Sequence, residues 1–263
     1  VLGGDITAIT NITSTVPSGK FLIDETSPLP PKSLAIANGG ITISGLGLLS
    51  SSGWKATGPV IATPIVNYTL LRDKIKAAIT LNNAGSFTIN NSNGVSNIIS
   101  HPDHFTDSNG YTYLLTSDIT INDPGLWDLG NNKIVLLADG NVTINGPINN
   151  QSDNSGFFMV LSGGNIIINP TVGLPSYFAI ATLEGVYFAQ GDIFLSGNPP
   201  TTSSKFIRIE GSVIGMGSVN ITGRTFLDAS NNPAVQFVFR PDQVVLMPNT
   251  VLHTNLLWQE VAP

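Results

Sequence analysis

The stretch KIVLLADGNVTI, residues 133–144, joins a run of apolar residues to a short alternating strand through the sequence Asp-Gly-Asn. The arrangement returns in FFMVLSGGNIII at residues 157–168, where two glycines and an asparagine separate the two runs. An Asp, Asn or Ser followed by an alternating apolar strand recurs at steps of 23, 24, 27 and 26 residues, at Asp118, Asn141, Asn165, Asp192 and Ser218. A period of roughly 20–50 residues without a helix in each repeat is typical of a solenoid.

We interpret the repeat as an all-β fold, a parallel β-solenoid in which each strand pairs with equivalent strands of neighbouring rungs about 4.8 Å away. The glycine before each Asp or Asn is expected to supply the positive φ of a sharp corner. The Asp or Asn side chain is expected to cap backbone amides at that corner. An antiparallel β-sandwich is the alternative, and it would explain the strands but not the ordered repeat of Gly, Asx and strand.

The chain divides into three regions that differ in residue pattern. Residues 1–67 form an extended N-terminal arm or strand region, residues 68–109 hold a helix and a polar connection, and residues 110–263 form the solenoid domain. The sequence YTLLRDKIKAAI predicts one short α-helix over residues 68–79, with Asn67 as its N-cap. Two short strands alone are marginally stable, so the β-prone runs of residues 1–31 must pair with a sheet edge. That edge could belong to the same molecule or to a neighbouring subunit.

Five segments of the second half carry a resemblance to a family. They read GYTYLLTSDITI, ADGNVTI, SGGNIII, FVFRPDQVVLMPNTVL and the closing WQEVAP, at residues 110–121, 138–144, 162–168, 237–252 and 258–263. In these segments the chain resembles uncharacterised secreted surface proteins of candidate-phylum bacteria. The resemblance covers a little over half of the chain. It implies export, a surface location and a solenoid-like fold, and it implies no activity, substrate or catalytic residue.

Composition excludes several classes of function. Charged residues make up 11% of the chain against 41% hydrophobic residues, and the net charge is −6. Nucleic-acid binding needs a basic stripe, whereas the 11 Lys and Arg residues are scattered singly. No apolar run approaches the roughly 18 residues of a membrane-spanning helix, and the chain has no Cys for a disulfide framework. Asn, Ser and Thr supply most of the polar residues, which favours an extracellular protein rich in turns.

Metal-ligand residue types cluster at one place, in His101-Pro-Asp103-His104. Pro102 prevents a helix, so the two imidazoles are not set one turn apart as a zinc site on a helix requires. We read this segment as a polar loop and expect no bound transition metal. Calcium is the one cofactor that the sequence allows, because hard cations prefer oxygen ligands, and its candidate ligands at a corner are Asp139, Asn141, Asp153 and Asn154.

Catalysis on a β-helix would need clustered carboxylates together with a basic residue. The carboxylates that stacking could bring together are those of Asp118, Asp139, Glu184, Asp192 and Glu210. We expect Arg208, Arg224 and Arg240 not to combine with them. A polysaccharide lyase or hydrolase is therefore a minor alternative, and the chain is predicted not to be an enzyme.

Aromatic, threonine and asparagine side chains suggest further binding roles. Trp127, Trp54 and Trp258 could stack on sugars if they are exposed. Thr120 and Thr143 align in adjacent repeats as in an ice-binding threonine ladder, but Ile167 and Phe194 interrupt it. Sequons mark candidate glycosylation sites, at Asn11, Asn67, Asn90 and Asn150, with two more in strands at Asn141 and Asn220.

The leading functional hypothesis is a non-enzymatic, extracellular structural protein of the cell surface. It could assemble into a filament or layer through its N-terminal arm, because unpaired strand edges tend to pair with another chain. A carbohydrate-binding adhesin is the second hypothesis, with a surface polysaccharide as its partner. A lyase or hydrolase and an ice-binding protein are the remaining alternatives.

Overall fold

The structure is a computed structural model. It describes residues 6–8, 10–16, 18–19, 21–23, 35–37, 39–50, 67–90, 94–122, 127–149, 155–175, 181–198, 201, 205–224, 234–238 and 240–252.

Short strands make up most of the described chain. The strands are β1 (Ile6–Ala8), β2 (Asn11–Thr15), β3 (Phe21–Ile23), β4 (Ala35–Ala37), β5 (Gly40–Ser44), β6 (Leu48–Ser50), β7 (Phe87–Asn90), β8 (Phe105–Thr106), β9 (Tyr111–Thr116), β10 (Ile119–Asn122), β11 (Trp127–Asp128), β12 (Lys133–Ala138), β13 (Val142–Ile144), β14 (Ile148–Asn149), β15 (Phe157–Ser162), β16 (Ile166–Ile168), β17 (Leu183–Ala189), β18 (Ile193–Phe194), β19 (Ile207–Gly215), β20 (Val219–Asn220) and β21 (Val235–Val238). The helices are α1 (Tyr68–Ala78), α2 (Gly94–Ile99), α3 (Pro241–Val245) and α4 (Asn249–Leu252).

The strands stack into a parallel β-solenoid, as predicted. Sheet A runs β4-β1-β19-β17-β15-β12-β9-β8, and sheet B runs β5-β2-β20-β18-β16-β13-β10-β7. Ile119 pairs with Val142, Val142 with Ile166, and Ile166 with Ile193, so equivalent residues of the sequence repeat lie in register. Each of these pairs is parallel, and among the described strand pairs the antiparallel one is β8 with β9. The sandwich alternative is therefore wrong.

The Gly-Asx repeat forms a corner column between the two sheets. The Asn141 side chain accepts a hydrogen bond from the Asn165 backbone N–H at 2.8 Å, and the Asn165 side chain accepts one from the Asp192 N–H at 2.8 Å. The predicted capping role of the Asx residues is thus confirmed. The positive φ predicted for the preceding glycines is wrong, because Gly140, Gly164, Gly191 and Gly217 do not have one.

Steric exclusion explains these glycines instead. A Cβ added to Gly164 would lie 2.6 Å from the Asn141 Oδ1 and 3.0 Å from the Gly140 carbonyl oxygen. The Gly164 N–H also donates to that carbonyl at 2.9 Å. The glycine is therefore needed because the Asx side chain and the backbone of the neighbouring rung occupy the space of a Cβ.

The stacking order differs from the sequence order. The N-terminal strands β1 and β2 pair with β19 and β20 from the other end of the repeat, and β4 and β5 pair with β1 and β2 on the outer side. We call β4, β5 and β6 the end rung. At the opposite end, called the capped end, β7 pairs with β10, and Ile98 of α2 is fully buried in the solenoid core.

Helix α1 confirms the one helix predicted from the sequence. The Asn67 side chain accepts a hydrogen bond from the Leu70 N–H at 2.8 Å, as expected of an N-cap. Tyr68, Leu71 and Ile75 are its buried residues. Helices α2, α3 and α4 were not predicted, because segments of four to six residues show too little periodicity to be recognised as helical.

The core has two layers. Inward-facing residues of both sheets fill the solenoid, and a second apolar cluster lies between the outer side of sheet A and the helices. The strands of sheet A are accordingly buried on both faces, so that β9, β15 and β17 are buried throughout their length. In sheet B buried and partly exposed residues alternate, as in β13 and β16.

Candidate functional site

The two sheets present very different outer surfaces. On the outer side of sheet A lies an apolar cluster, and α1 covers it with Tyr68, Leu71 and Ile75. Helix α4 packs beside α1, and its Val251 belongs to the same cluster. No described helix makes an extended contact with β5, β2, β20, β18, β16, β13 or β10 of sheet B. In the described part of the chain, the outer face of sheet B from β5 to β10 is therefore not covered by a helix.

We call this surface the open face. Its central column has one side chain per strand, in strict register from the end rung to the capped end: Thr42, Thr13, Asn220, Phe194, Ile167, Thr143, Thr120 and Thr88. Thr42 and Thr88 are exposed and the others are half-buried. The sequence order suggested a threonine ladder interrupted after Thr143, and Ile167 and Phe194 do interrupt it. The stacking order adds three threonines to the same column.

Asparagines follow the central column on the same face. The Asn122 side-chain amide donates to the Asn90 Oδ1 at 3.5 Å, and the Asn145 amide donates to the Asn122 Oδ1. Asn169 occupies the equivalent position after β16. This asparagine column and the central column contain no charged residue. The open face thus offers neutral donors and acceptors, with two apolar side chains at its middle.

A second cluster lies on sheet A, where Glu184 of β17 is in register with Glu210 of β19. Two carboxylates placed side by side repel each other. The Arg240 guanidinium lies between them and donates to Glu184 at 2.6 Å and to Glu210 at 3.0 Å. It also binds both oxygens of Asp242, at 2.8 and 2.6 Å, and Arg208 donates to Glu210 at 2.7 Å. The expectation that Arg208 and Arg240 stay apart from the carboxylates is wrong.

The electrostatics of this cluster are those of a paired network. The hydrogen bond to Asp242 and the charge of Glu184 raise the pKa of Arg240, against the opposing effect of burial. The hydrogen bond from Arg240 lowers the pKa of Asp242. Glu184 is 3% exposed. Its carboxylate accepts a hydrogen bond from Arg240, and the network fixes α3 to sheet A.

Arg224 has a different setting. Its guanidinium is buried and donates to the backbone carbonyls of Val172 at 2.7 Å and Asn169 at 2.9 Å, and also to that of Leu195. Burial lowers its pKa to about 10, so the group remains charged at neutral pH. It satisfies carbonyls that a corner leaves without a strand partner, which is a structural role.

The histidine loop is held by local hydrogen bonds. The His101 Nδ1 accepts from the Asp103 N–H at 3.2 Å, and the His104 N–H donates to the His101 carbonyl at 3.1 Å. The His101 ring makes an edge contact with Phe87, with the centroids 4.9 Å apart. Among the residues that the structure describes, no group of three or more His, Asp or Glu side chains is arranged to hold a metal ion.

The calcium candidates are engaged elsewhere or lie outside the described residues. Asp139 accepts hydrogen bonds from the Tyr68 hydroxyl and from Arg72, both at 2.9 Å, and from the Asn83 amide at 3.1 Å. The Asn141 Oδ1 serves the corner column. Asp153 and Asn154 lie outside the description. Asp139 therefore anchors α1 to the solenoid.

The other sequence candidates are distributed over the molecule. Trp54 and Trp258 lie outside the described residues, and Trp127 is in β11, where its backbone pairs with Ile148 rather than with a strand of the open face. Of the glycosylation candidates, Asn11, Asn67 and Asn90 are exposed, and Asn150 lies outside the description. Their glycosylation stays a prediction.

The open face was not identified as a site from the sequence alone. Its signal was the alternation of apolar residues with threonine and asparagine in the sheet B strands, which predicts one buried and one solvated face. None of the described helices is long and apolar enough to cross a membrane. Comparison of the chain with protein-family models, curated proteins and solved structures gives no match.

Proposed function

We propose that the chain is a non-enzymatic, extracellular structural protein of the cell surface, and that its open face contacts an uncharged surface polysaccharide. The observation that carries this proposal is the contrast between the sheets. An apolar cluster on the outer side of sheet A is covered by the chain's own helices, whereas a neutral face of threonine and asparagine runs along sheet B.

The chemistry of the open face suits a neutral carbohydrate polymer. Threonine hydroxyls both donate and accept hydrogen bonds, and asparagine amides do the same, which matches the hydroxyl groups of sugars. Phe194 and Ile167 add an apolar centre on which the non-polar side of a sugar ring can pack. Because the rungs repeat about every 4.8 Å, a polymer can make many weak contacts at once, and linked contacts raise the overall affinity.

Acidic polysaccharides are less suitable ligands. The central and asparagine columns hold no Lys or Arg to pair with uronate carboxylates, and no acidic cluster to bind them through calcium. The net charge of −6 would repel them further.

The partners of the carboxylates support a non-enzymatic role. A glycosidase needs two carboxyl groups that flank the scissile bond of a bound sugar. Glu184 and Glu210 are instead bridged by Arg240, and Asp139 holds α1. The extracellular location rests on the resemblance to exported proteins and on the composition of the chain.

One experiment tests binding and catalysis together. The purified chain is incubated with insoluble cellulose and chitin, with a soluble neutral glucan, and with polygalacturonate, and both bound protein and released sugar ends are measured. We expect binding to at least one neutral polymer without cleavage. Thr143→Lys and Phe194→Ala should weaken this binding at least about tenfold, a loss of about 1.4 kcal/mol. The matched control is Thr69→Lys, on the exposed side of α1, which should bind as the wild type does.

Three results would contradict the proposal. Cleavage that is lost in Glu184→Gln would make the chain an enzyme, and failure to bind any neutral polymer would remove the proposed ligand. Thermal hysteresis of ice growth that is lost in Thr143→Lys would identify ice as the ligand instead. Antibody labelling of intact cells tests the surface location separately.

A further inference from the structure

We propose that the end rung binds the end rung of a second copy of this chain, which joins two solenoids end to end in a closed dimer. This inference concerns a different surface from the open face and names a partner that the proposed function does not require. It rests on the edge strand, the exposed end of the core and the asymmetry between the two ends.

In the described part of the chain, the edge of the end rung carries none of the protection that is usual for natural sheet edges. Residues 35–50, AIANGGITISGLGLLS, contain no charged residue and no proline. Edge strands are normally guarded by lysine, proline, inward-pointing charges or a covering element, because an unguarded edge pairs with other strands. No described strand lies on the outer side of β4, β5 or β6.

The backbone of β5 is ready to form a further ladder. In inner rungs the N–H of the first core residue points toward the end rung, as when the Ile119 N–H donates to the Asn141 carbonyl at 3.0 Å and the Val142 N–H to the Asn165 carbonyl at 2.9 Å. Ile41 is the equivalent residue of β5, through its pairing with Ile12. The N–H groups of every second residue in a strand point to the same side. Those of Ile41 and Ile43 therefore both point outward, beyond the last described strand.

Among the described residues, the core is also open at this end. Ile12 and Val219, the equivalents of Ile41 in the next two rungs, are fully buried. Ile41 and Ile43 remain partly exposed although they pack on the same core. Leu46, in the turn that follows β5, is 83% exposed. Pairing with a second end rung would continue the sheet and cover this apolar surface.

The capped end cannot take part in the same way. The Asn97 side chain of α2 donates to the Asn90 carbonyl of β7 at 3.1 Å. Ile98 closes the core there, and β8 pairs with β9 in the antiparallel sense. A head-to-tail filament needs two complementary ends, whereas a single open end satisfies itself through a two-fold axis. In that arrangement the two β5 strands run antiparallel, and growth stops at two chains.

The partner is a second copy because the edge is self-complementary. Each chain carries a net charge of −6, so two copies repel each other at long range. The end rung brings no charge to the contact, and that repulsion is screened over about 10 Å at 0.1 M salt. We therefore expect the dimer to strengthen as the salt concentration rises.

Sedimentation-velocity ultracentrifugation of the full chain over a wide concentration range tests the dimer. The wild type is expected to be dimeric, and Ile43→Lys, which places a charge at the open end of the core, should be monomeric over the same range. Ile41→Pro is the second variant and should also be monomeric, because it removes an outward N–H without removing a hydrogen bond inside the solenoid. The matched control is Ile99→Lys at the capped end, where Ile99 is 39% exposed, and it should remain a dimer. Circular dichroism confirms that each variant is folded.

Three outcomes would overturn the inference. They are a wild type that is monomeric at every concentration, species that grow beyond two chains, and a folded Ile43→Lys variant that is still dimeric. The Thr143→Lys variant separates the two proposals, since it should lose polysaccharide binding and keep the dimer.

Discussion

Single residues decide the corners of this solenoid, and Asn141 with Gly164 shows how. The asparagine oxygen accepts from the N–H of Asn165 in the next rung, and the glycine beside it leaves room for that oxygen. The two residue types therefore act together as one structural device: the Asx side chain bonds to the next rung along the stack, and the glycine beside it, which has no Cβ, leaves space for that side chain. The device repeats in Asp118 with Gly140 and in Asn165 with Gly191.

A double-mutant cycle tests this device. Gly164→Ala should lower the free energy of unfolding by about 1–3 kcal/mol, the usual cost of forcing an extra carbon into a filled site. In the background of Asn141→Ala the same change should cost at least about 0.5 kcal/mol less, because one of the two clashes is gone. Urea unfolding of the four proteins measures the coupling. Strictly additive effects would show that the glycine is required for another reason.

Helices are attached to the solenoid by apolar packing together with a few polar contacts. Helix α1 lies on sheet A through Tyr68, Leu71 and Ile75, and Asp139 holds it there with bonds from Tyr68 and Arg72. Burial raises the pKa of Asp139, but these hydrogen bonds and the charge of Arg72 outweigh burial and lower it. Burial, and to a lesser extent the hydrogen bond to Asp139, raise the pKa of Tyr68.

The lowered pKa of Asp139 predicts that the free energy of unfolding depends on pH in the acid range. A carboxyl group whose pKa is depressed by folding stabilises the protein above its ordinary value, 3.8 for this group, and loses that contribution as the pH falls through the folded value. Asp139→Asn should therefore be less stable than the wild type at pH 7. The difference should shrink below about pH 4. Urea unfolding between pH 7 and pH 3 measures it, and a difference that does not change with pH would exclude the ionic contribution.

At the scale of the whole molecule, the N-terminal region extends the solenoid beyond the last rung of the sequence repeat. Strands β1 and β2 stack between the rung of β19 and β20 and the end rung, so these two strands contribute an inner layer. The described strands of the predicted arm thus pair with an edge of the same molecule. That edge belongs to the last rung of the sequence repeat rather than to the first.

Deletion of residues 1–31 tests this arrangement. We expect a lower melting temperature at every protein concentration, because Val219 and its neighbours lose the rung that buries them. The measurement is made in the Ile43→Lys background, where the proposed dimer does not contribute. Deletion of residues 1–4 is the control and should leave the melting temperature unchanged. If the 1–31 deletion left a folded monomer of unchanged stability, the region would act between subunits.

Local sequence patterns were sufficient to predict the rungs of the solenoid. The step between Asp118, Asn141, Asn165 and Asp192, and the alternation that follows each of them, predicted parallel stacking in register, because side-chain identity and strand period are local properties. The N-cap of α1 was readable for the same reason. The short helices were not, since four to six residues gain their helical form from packing rather than from propensity.

Only the tertiary structure decided what lies beside what. The central column of the open face places Thr13 and Thr42 beyond Asn220, although about 200 residues of chain separate them. Glu184, Glu210 and Arg240 likewise meet through stacking and through the return of the chain to sheet A. Which residues become neighbours in this way depends on which rung stacks on which sheet edge. That choice is made by the burial of apolar surface over the whole molecule, and no local pattern in the sequence records it.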